Sequence, residues 1–175
     1  VPMLSLLDVF SDDEVRDFTA SVTKEYPNAT FSIERKIDGL SLSLVYAKPV
    51  GSDGKLRLVQ ASTRGDGHIG EDVTDNVKVL GIPANIQMPD GIWKIELRGE
   101  CYMSEEDFEA TNAKQEAAGK KLFANPRNCA AGTLRQSDPA VAKARNLKVF
   151  IFNVQSVNDG EDSSEFADSH CDQLN

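Results

Sequence analysis

Glu34-Arg35-Lys36-Ile37-Asp38-Gly39 runs directly into Leu40-Ser41-Leu42-Ser43-Leu44-Val45-Tyr46. In the second stretch leucines at 40, 42 and 44, and then Tyr46, alternate with Ser41 and Ser43, which is the period of a half-buried strand. Pro49-Val50-Gly51-Ser52-Asp53-Gly54 is turn chemistry, and Leu56-Arg57-Leu58-Val59 begins a returning strand. The two runs read as an antiparallel hairpin. Residues 30–35 read as a further strand, whose period of two would set Glu34, Lys36 and Asp38 on one face.

Outward from the hairpin, Ser11-Asp12-Asp13-Glu14 is a capping box with an acidic first turn. Val15, Phe18 and Val22 follow at helical spacing, so a helix is expected to run to about Tyr26, where Pro27 stops it. Arg64-Gly65-Asp66-Gly67-His68-Ile69-Gly70 is a glycine-rich loop, with a short helix expected over 71–80. Residues 93–101 and 147–154 read as strands. Ser104 with Asp107 opens a second capped helix that carries Phe108 inward and ends near Gly119. Trp93 and the phenylalanines read as core. Strands, hairpins and interspersed helices of this kind predict an α+β fold, antiparallel sheets with flanking helices, and not a doubly wound one.

The chain has 175 residues, 40% of them apolar, enough for one domain with a core. It holds no apolar run of about 18 residues, the length a spanning helix needs. Its N-terminus lacks the basic start of a signal peptide. Cys101, Cys129 and Cys171 form no C-x-x-C pair, which argues against both a zinc site and a disulfide framework and points to a reducing, cytoplasmic setting. The net charge of −9 disfavours free-standing nucleic-acid binding, but its distribution is uneven. Residues 111–155 carry eight basic and two acidic side chains, a net of +6, whereas residues 156–175 carry six acidic and no basic ones. The basic stretch alone has the sign that suits phosphate.

Four stretches hold residue types suited to chemistry. In Glu34-Arg35-Lys36-Ile37-Asp38-Gly39 a lysine stands between two carboxylates. A lysine so placed is a nucleophile once its ammonium has lost a proton, and otherwise part of a surface ion-pair ladder. In Thr63-Arg64-Gly65-Asp66-Gly67 the glycines allow close backbone approach and the arginine suits phosphate or ribose, although a tight turn needs the same glycines. In Glu96-Leu97-Arg98-Gly99-Glu100 the three charged side chains share a face opposite Ile95 and Leu97. That face is either a solvated one or a site for ribose hydroxyls or a metal. In 123–136, small residues around Arg127 and Arg135 allow a polyanion to come near the backbone. The other reading of that stretch is a helix capped near Asn125 with merely exposed arginines.

Taken in order, the chain contains P-M-L-S-L, E-x-K-x-D-G, T-R-G-D-G-x-x-G-E-D-V-T-x-N-V, E-L-R-G-E and F-A-N-P-R-N-x-A-A-G-T-L-R-Q. Over roughly residues 1–155 this closely resembles the adenylation (nucleotidyltransferase) domain of bacterial NAD-dependent DNA ligases. The resemblance implies NAD and Mg²⁺ as cofactors and Lys36 as the nucleophile that becomes lysyl-AMP. It implies that Glu34 contacts adenine, that Arg64 and Glu100 bind the nucleotide, and that Ser5 and Leu6 lie beside the adenosine pocket. Asp38 would support the lysine or the metal, whose ligands the motifs leave unassigned. Arg127 and Arg135 match basic positions near phosphate and DNA. Nicked duplex DNA is the implied partner within a full-length ligase, with no membrane and no obligate protein partner.

The chain departs from the family pattern in places. A late strand in the family usually presents a tyrosine for stacking on adenine, often followed by glycine. Here Phe152-Asn153 stands there, which keeps the aromatic face and loses the hydroxyl. The family's later D-G-x-V-x-K strand is not found after Phe152. Residues 1–155 are therefore expected to form a partial adenylation domain, incomplete at the C-terminus, with 156–175 an acidic tail leading toward the rest. The chain alone is expected not to seal nicks. The alternative is a non-catalytic nucleotide- or protein-binding module derived from the same fold.

Overall fold

The computed structural model describes residues 3, 8–51 and 54–158. They fall into two compact units, residues 3–36 and the residues from 37 onward.

The first unit is built on helix α1 (Asp12–Glu25). Ser11 is its N-cap: the Ser11 hydroxyl accepts the Glu14 N–H at 3.3 Å, and Glu14 Oε2 accepts the Ser11 N–H at 3.1 Å, closing the expected capping box. Phe18 and Phe31 meet edge to face at a centroid distance of 6.3 Å. Residues 30–35, expected as a strand, join no ladder, and Ile33 is fully exposed. Alternating apolar residues make a strand only where a partner strand takes up the backbone groups. The strand from which a shared face for Glu34, Lys36 and Asp38 is expected is therefore absent among the described residues.

The second unit is one five-stranded antiparallel sheet among the described residues, flanked by short helices. In chain order it runs β1 (Leu40–Ala47), β2 (Lys55–Thr63), α2 (Thr74–Lys78), β3 (Asn85–Gln87), β4 (Lys94–Tyr102), α3 (Glu105–Ala117), α4 (Pro126–Leu134), α5 (Pro139–Ala144) and β5 (Lys148–Val157). The strand order is β3-β2-β1-β4-β5, so the predicted hairpin supplies the centre and not an edge. Leu42, Leu44, Tyr46, Leu56, Leu58, Ala61, Ile95, Val154 and Val157 face the core, joined by Val77 from α2 and Cys129, Ala130 and Leu134 from α4. Burying roughly 1.5–3 kcal/mol of side-chain transfer energy at each large position is what holds the helices to the sheet.

The predicted hairpin, the two later strands and the capped helix opening at Ser104 all form. The helix expected over 71–80 shortens to α2, because Asp72 Oδ1 accepts the Thr74 N–H at 2.9 Å and an isolated bridge joins Ser62 to Asp72. Strand β3 and helix α5 are additions that no periodicity announces, being three and six residues long. Trp93 is half exposed, not core, and Phe10, Phe18, Phe31 and Phe150 are likewise open; Phe108 and Phe123 do pack on the core. At Trp93 the backbone is the anchored part: its N–H donates to Asn158 Oδ1 at 2.8 Å and its carbonyl accepts the Lys48 N–H at 2.8 Å. No described helix is long and apolar enough to cross a membrane.

Candidate functional site

The glycine-rich loop leaves β2 at Thr63 and returns through Glu71. An added Cβ would lie 1.7 Å from the Ile69 carbonyl oxygen at Gly65 and 1.7 Å from the Thr63 carbonyl oxygen at Gly70. Both glycines are thus required by the loop's closure on itself. Asp66 Oδ1 accepts the His68 and Ile69 N–H groups at 2.9 and 2.8 Å, and these bonds hold its carboxyl below the ordinary aspartate range. The loop is tied inward where the Arg64 N–H donates to the Ser41 carbonyl at 3.2 Å, which sets Arg64 beside central strand β1.

Strand β4 lies on the other side of β1. Leu40 pairs with Cys101 and Ser41 with Glu100. This register carries the Glu100 carboxylate to the Gly39 N–H, which it accepts at 3.1 Å in a buried bond. The approach is close: a Cβ on Gly39 would stand 2.1 Å from the Cys101 carbonyl oxygen. Only glycine fits where the E-x-K-x-D-G stretch enters the sheet.

The Glu96, Arg98 and Glu100 face is buried, not solvated. Arg98 is 4% and Glu100 9% exposed. Arg98 pairs with Glu96 at 3.0 Å and reaches Gln155 at 3.4 Å, and Glu96 accepts the Ser43 hydroxyl at 2.7 Å. Burial lowers the Arg98 pKa, and the Glu96 charge opposes that shift. Ser43, which alternation alone would set on the wet half of the strand, is therefore part of a polar network. Ser43 and Gln155 carried no signal of their own in the sequence.

Helix α4 pairs with the glycine-rich loop and with the residues just before β1. Asn125 caps it, accepting the Asn128 N–H at 2.7 Å, with Pro126 in the first turn. From that turn Arg127 pairs with Asp38 at 3.0 Å, and from the C-cap Arg135 pairs with Glu71 at 2.6 Å. Asn76 of α2 donates to the carbonyls of Leu134 and Gln136 at 2.6 and 2.7 Å, joining the helix after the glycine loop to the end of α4. Arg145 lies 5.0 Å over the Phe123 ring and donates to Thr133 Oγ1 at 2.7 Å. Arg127, Arg135 and Arg145 of the basic stretch thus each have a partner within the chain.

Asp38, Arg64, Glu100, Arg127, Arg135 and Phe152 all belong to the unit that starts at residue 37. It joins Asp38 to Arg127 and brings Glu100 to Gly39. Glu34 and Lys36 close the first unit, where Glu34 Oε1 accepts the Ser32 hydroxyl at 2.9 Å. Ser5 and Leu6 lie outside the described residues, as do Cys171 and the turn at Asp159-Gly160. Glu71, the partner of Arg135, was not singled out from the sequence, although it stands in the G-E-D stretch. Among the described residues no three His, Cys, Asp or Glu side chains converge on a metal position.

An antiparallel sheet with a buried carboxylate at the motif glycine, a closed glycine loop and an arginine-bearing helix is an arrangement suited to nucleotidyl transfer. Residues 1–175 match the family described as NAD-dependent DNA ligase adenylation domain, and the chain belongs to that family. It is 49% identical over 154 residues to a DNA ligase of Lactobacillus johnsonii, covering 87% of this chain and 22% of that protein. It is 47% identical over 175 residues to a DNA ligase of Methylorubrum extorquens, covering 97% of this chain and 20% of the relative. A Clostridium kluyveri DNA ligase is 47% identical over 156 residues, 89% of this chain and 22% of its own length. The chain spans about a fifth of the length of these relatives.

Proposed function

We propose that this chain is the nucleotide-binding, AMP-accepting part of an NAD-dependent DNA ligase, with Lys36 as the nucleophile. The Lys36 Nζ lone pair attacks the α-phosphorus of NAD. The N–P bond forms, the phosphoanhydride P–O bond breaks, nicotinamide mononucleotide leaves and the nitrogen sheds its proton to solvent. In the larger protein the AMP passes to the 5′-phosphate at a nick, breaking the N–P bond, and the adjoining 3′-hydroxyl then displaces AMP. Splitting the reaction at a lysyl intermediate divides one hard displacement into easier ones. Such transfers depend on positioning and charge compensation more than on unusual groups.

The observation that carries this reading is the buried hydrogen bond from the Gly39 N–H to Glu100. It fastens the chain three residues after Lys36 to the carboxylate assigned to the nucleotide. Glu34 would meet the adenine, Arg64 the nucleotide and Phe152 the base face. Asp38 would support the lysine, and Ser5 and Leu6 would border the adenosine. Arg127 and Arg135 would meet phosphates of the nicked duplex. Mg²⁺ in phosphoryl transfer is held mainly by substrate phosphates and one or two carboxylates, and Asp38 is the carboxylate nearest Lys36 on its C-terminal side. Free, buried Cys101 and Cys129 suit a reducing compartment such as the cytoplasm.

The test is the intact mass of the chain after incubation with Mg²⁺ and either NAD or ATP, with Lys36→Ala alongside. An AMP adduct from NAD that the substitution abolishes supports the proposal. An adduct from ATP alone, or one that survives in Lys36→Ala, overturns it.

A further inference from the structure

Strand β5 breaks its regular pairing with β4 twice, and one break falls at Phe152. Asn153 pairs with Arg98 and Ile151 with Gly99, which leaves Phe152 as an extra residue without a partner on β4. This is the two-against-one count of a β-bulge, a device that re-aims side chains. Ile151 and Val154 both pack on the core. A regular strand places one residue between successive core positions, and here there are two. Phe152 and Asn153 therefore both stand on the side away from the core. Asn153 shares that side with Arg98, its cross-strand neighbour, and strand alternation adds Glu96 and Glu100.

The bulge has its own requirement on β4. A Cβ on Gly99 would lie 2.8 Å from the Phe150 carbonyl oxygen and 2.9 Å from Ile151 Cδ1. Glycine at 99 is what lets β5 crowd in at this point. Arg98 meanwhile directs its guanidinium to Glu96 and Gln155. No hydrogen bond to another described residue engages the Asn153 amide. The bulge thus places an aromatic ring and an amide side by side on the face that carries Glu100.

We infer that Asn153 is a specificity-determining residue of the proposed nucleotide site, its amide reading the polar edge of an adenine stacked on Phe152; this rests on the functional reading above. An asparagine amide matches the N7 edge of adenine in both directions, its N–H₂ donating to N7 and its oxygen accepting from the 6-amino group. Hypoxanthine puts a carbonyl in place of that amino group and sets oxygen against oxygen. A glycine at 153, the residue the family often carries there, presents no such group.

The experiment is equilibrium binding of AMP and of IMP to the whole chain, for the unsubstituted protein, Asn153→Ala and Asn153→Asp, with a thermal melt of each to check folding. The unsubstituted chain is expected to prefer AMP by about fivefold or more, and Asn153→Ala to lose that preference. Asn153→Asp keeps the volume and the acceptor but loses the donor, so it should retain only part of it. Equal affinity for AMP and IMP in the unsubstituted chain, or the same preference in Asn153→Ala, overturns the inference and leaves the nucleotide site standing. Failure of the unsubstituted chain to bind either nucleotide overturns the site and the inference together.

Discussion

The Glu100 carboxylate accepts the Gly39 N–H across the β1–β4 pairing, 61 residues apart in sequence. The bond exists because nothing larger than glycine fits at 39, where the backbone passes against the Cys101 carbonyl. A carboxylate on one motif and a glycine on another are thus two halves of one contact. Gly39→Ala is expected to destabilise the unit by about 1–3 kcal/mol through overpacking and to abolish any AMP adduct. Glu100→Gln keeps an acceptor for the Gly39 N–H, so its melt should stay near that of the unsubstituted chain while nucleotide binding falls. Urea titration and intact mass check the two.

In the Glu96–Arg98 pair the arginine is buried and the carboxylate largely so, with side chains 5% and 16% exposed. Removing one partner of a buried pair costs about 3–5 kcal/mol, because the remaining charge is under-compensated. Glu96→Ala is expected near the lower end, since Gln155 still reaches Arg98. Glu96→Gln, which keeps the Ser43 bond, should cost less. Denaturant midpoints at neutral pH give the comparison.

Arg127–Asp38 and Arg135–Glu71 are open pairs, with side chains 48–71% exposed. Exposed pairs contribute about 0.2–1 kcal/mol or less. Arg127→Ala and Arg135→Ala should therefore leave the melt nearly unchanged. If these arginines meet phosphate, the same substitutions in a full-length relative weaken nicked-DNA binding and make it less salt-dependent. A large loss of stability in either variant would assign them to scaffold instead.

Among the described residues three carboxyls sit below their ordinary range: Asp66 through backbone N–H groups of Ile69 and His68, Asp72 through the Thr74 hydroxyl and N–H, and Asp107 through Ser104 and Asn146. A depressed carboxyl stabilises the fold above its unfolded value of 3.8, and that contribution is lost as pH falls through the lower folded value. The urea midpoint should hold from pH 7 to about 5 and drop below about 4. Asp107→Asn takes up no proton there, so its acid drop should be smaller than that of the unsubstituted chain.

Burial pushes the Cys101 thiol up to about 12, with the Glu100 charge adding to the effect, and burial also raises Cys129. Neither forms thiolate at neutral pH. Alkylation of the native chain at pH 8 should leave both peptides unmodified, and urea should expose them together with the melting of the sheet.

What the sequence made legible was whatever local chemistry settles. The Ser11 and Ser104 caps and the hairpin that opens at Leu40 each depend on neighbours close in sequence. What it hid depends on long-range pairing. Residues 30–35 have strand composition but no partner strand. The Glu96 and Arg98 face is dry because Ser43 and Gln155 cover it from β1 and β5, 53 and 57 residues away. The bulge at Phe152 follows from Gly99, whose role no single-strand pattern reveals. The motif order nevertheless named the family before any of these contacts were visible.

Lys36 as the AMP acceptor is the claim on which the rest depends. The direct measurement is the intact mass of the chain after incubation with NAD and Mg²⁺, followed by peptide mapping. One AMP adduct is expected, formed from NAD, mapped to Lys36 and missing from Lys36→Ala. An adduct that maps elsewhere, persists in Lys36→Ala, or arises from ATP but not from NAD would contradict it.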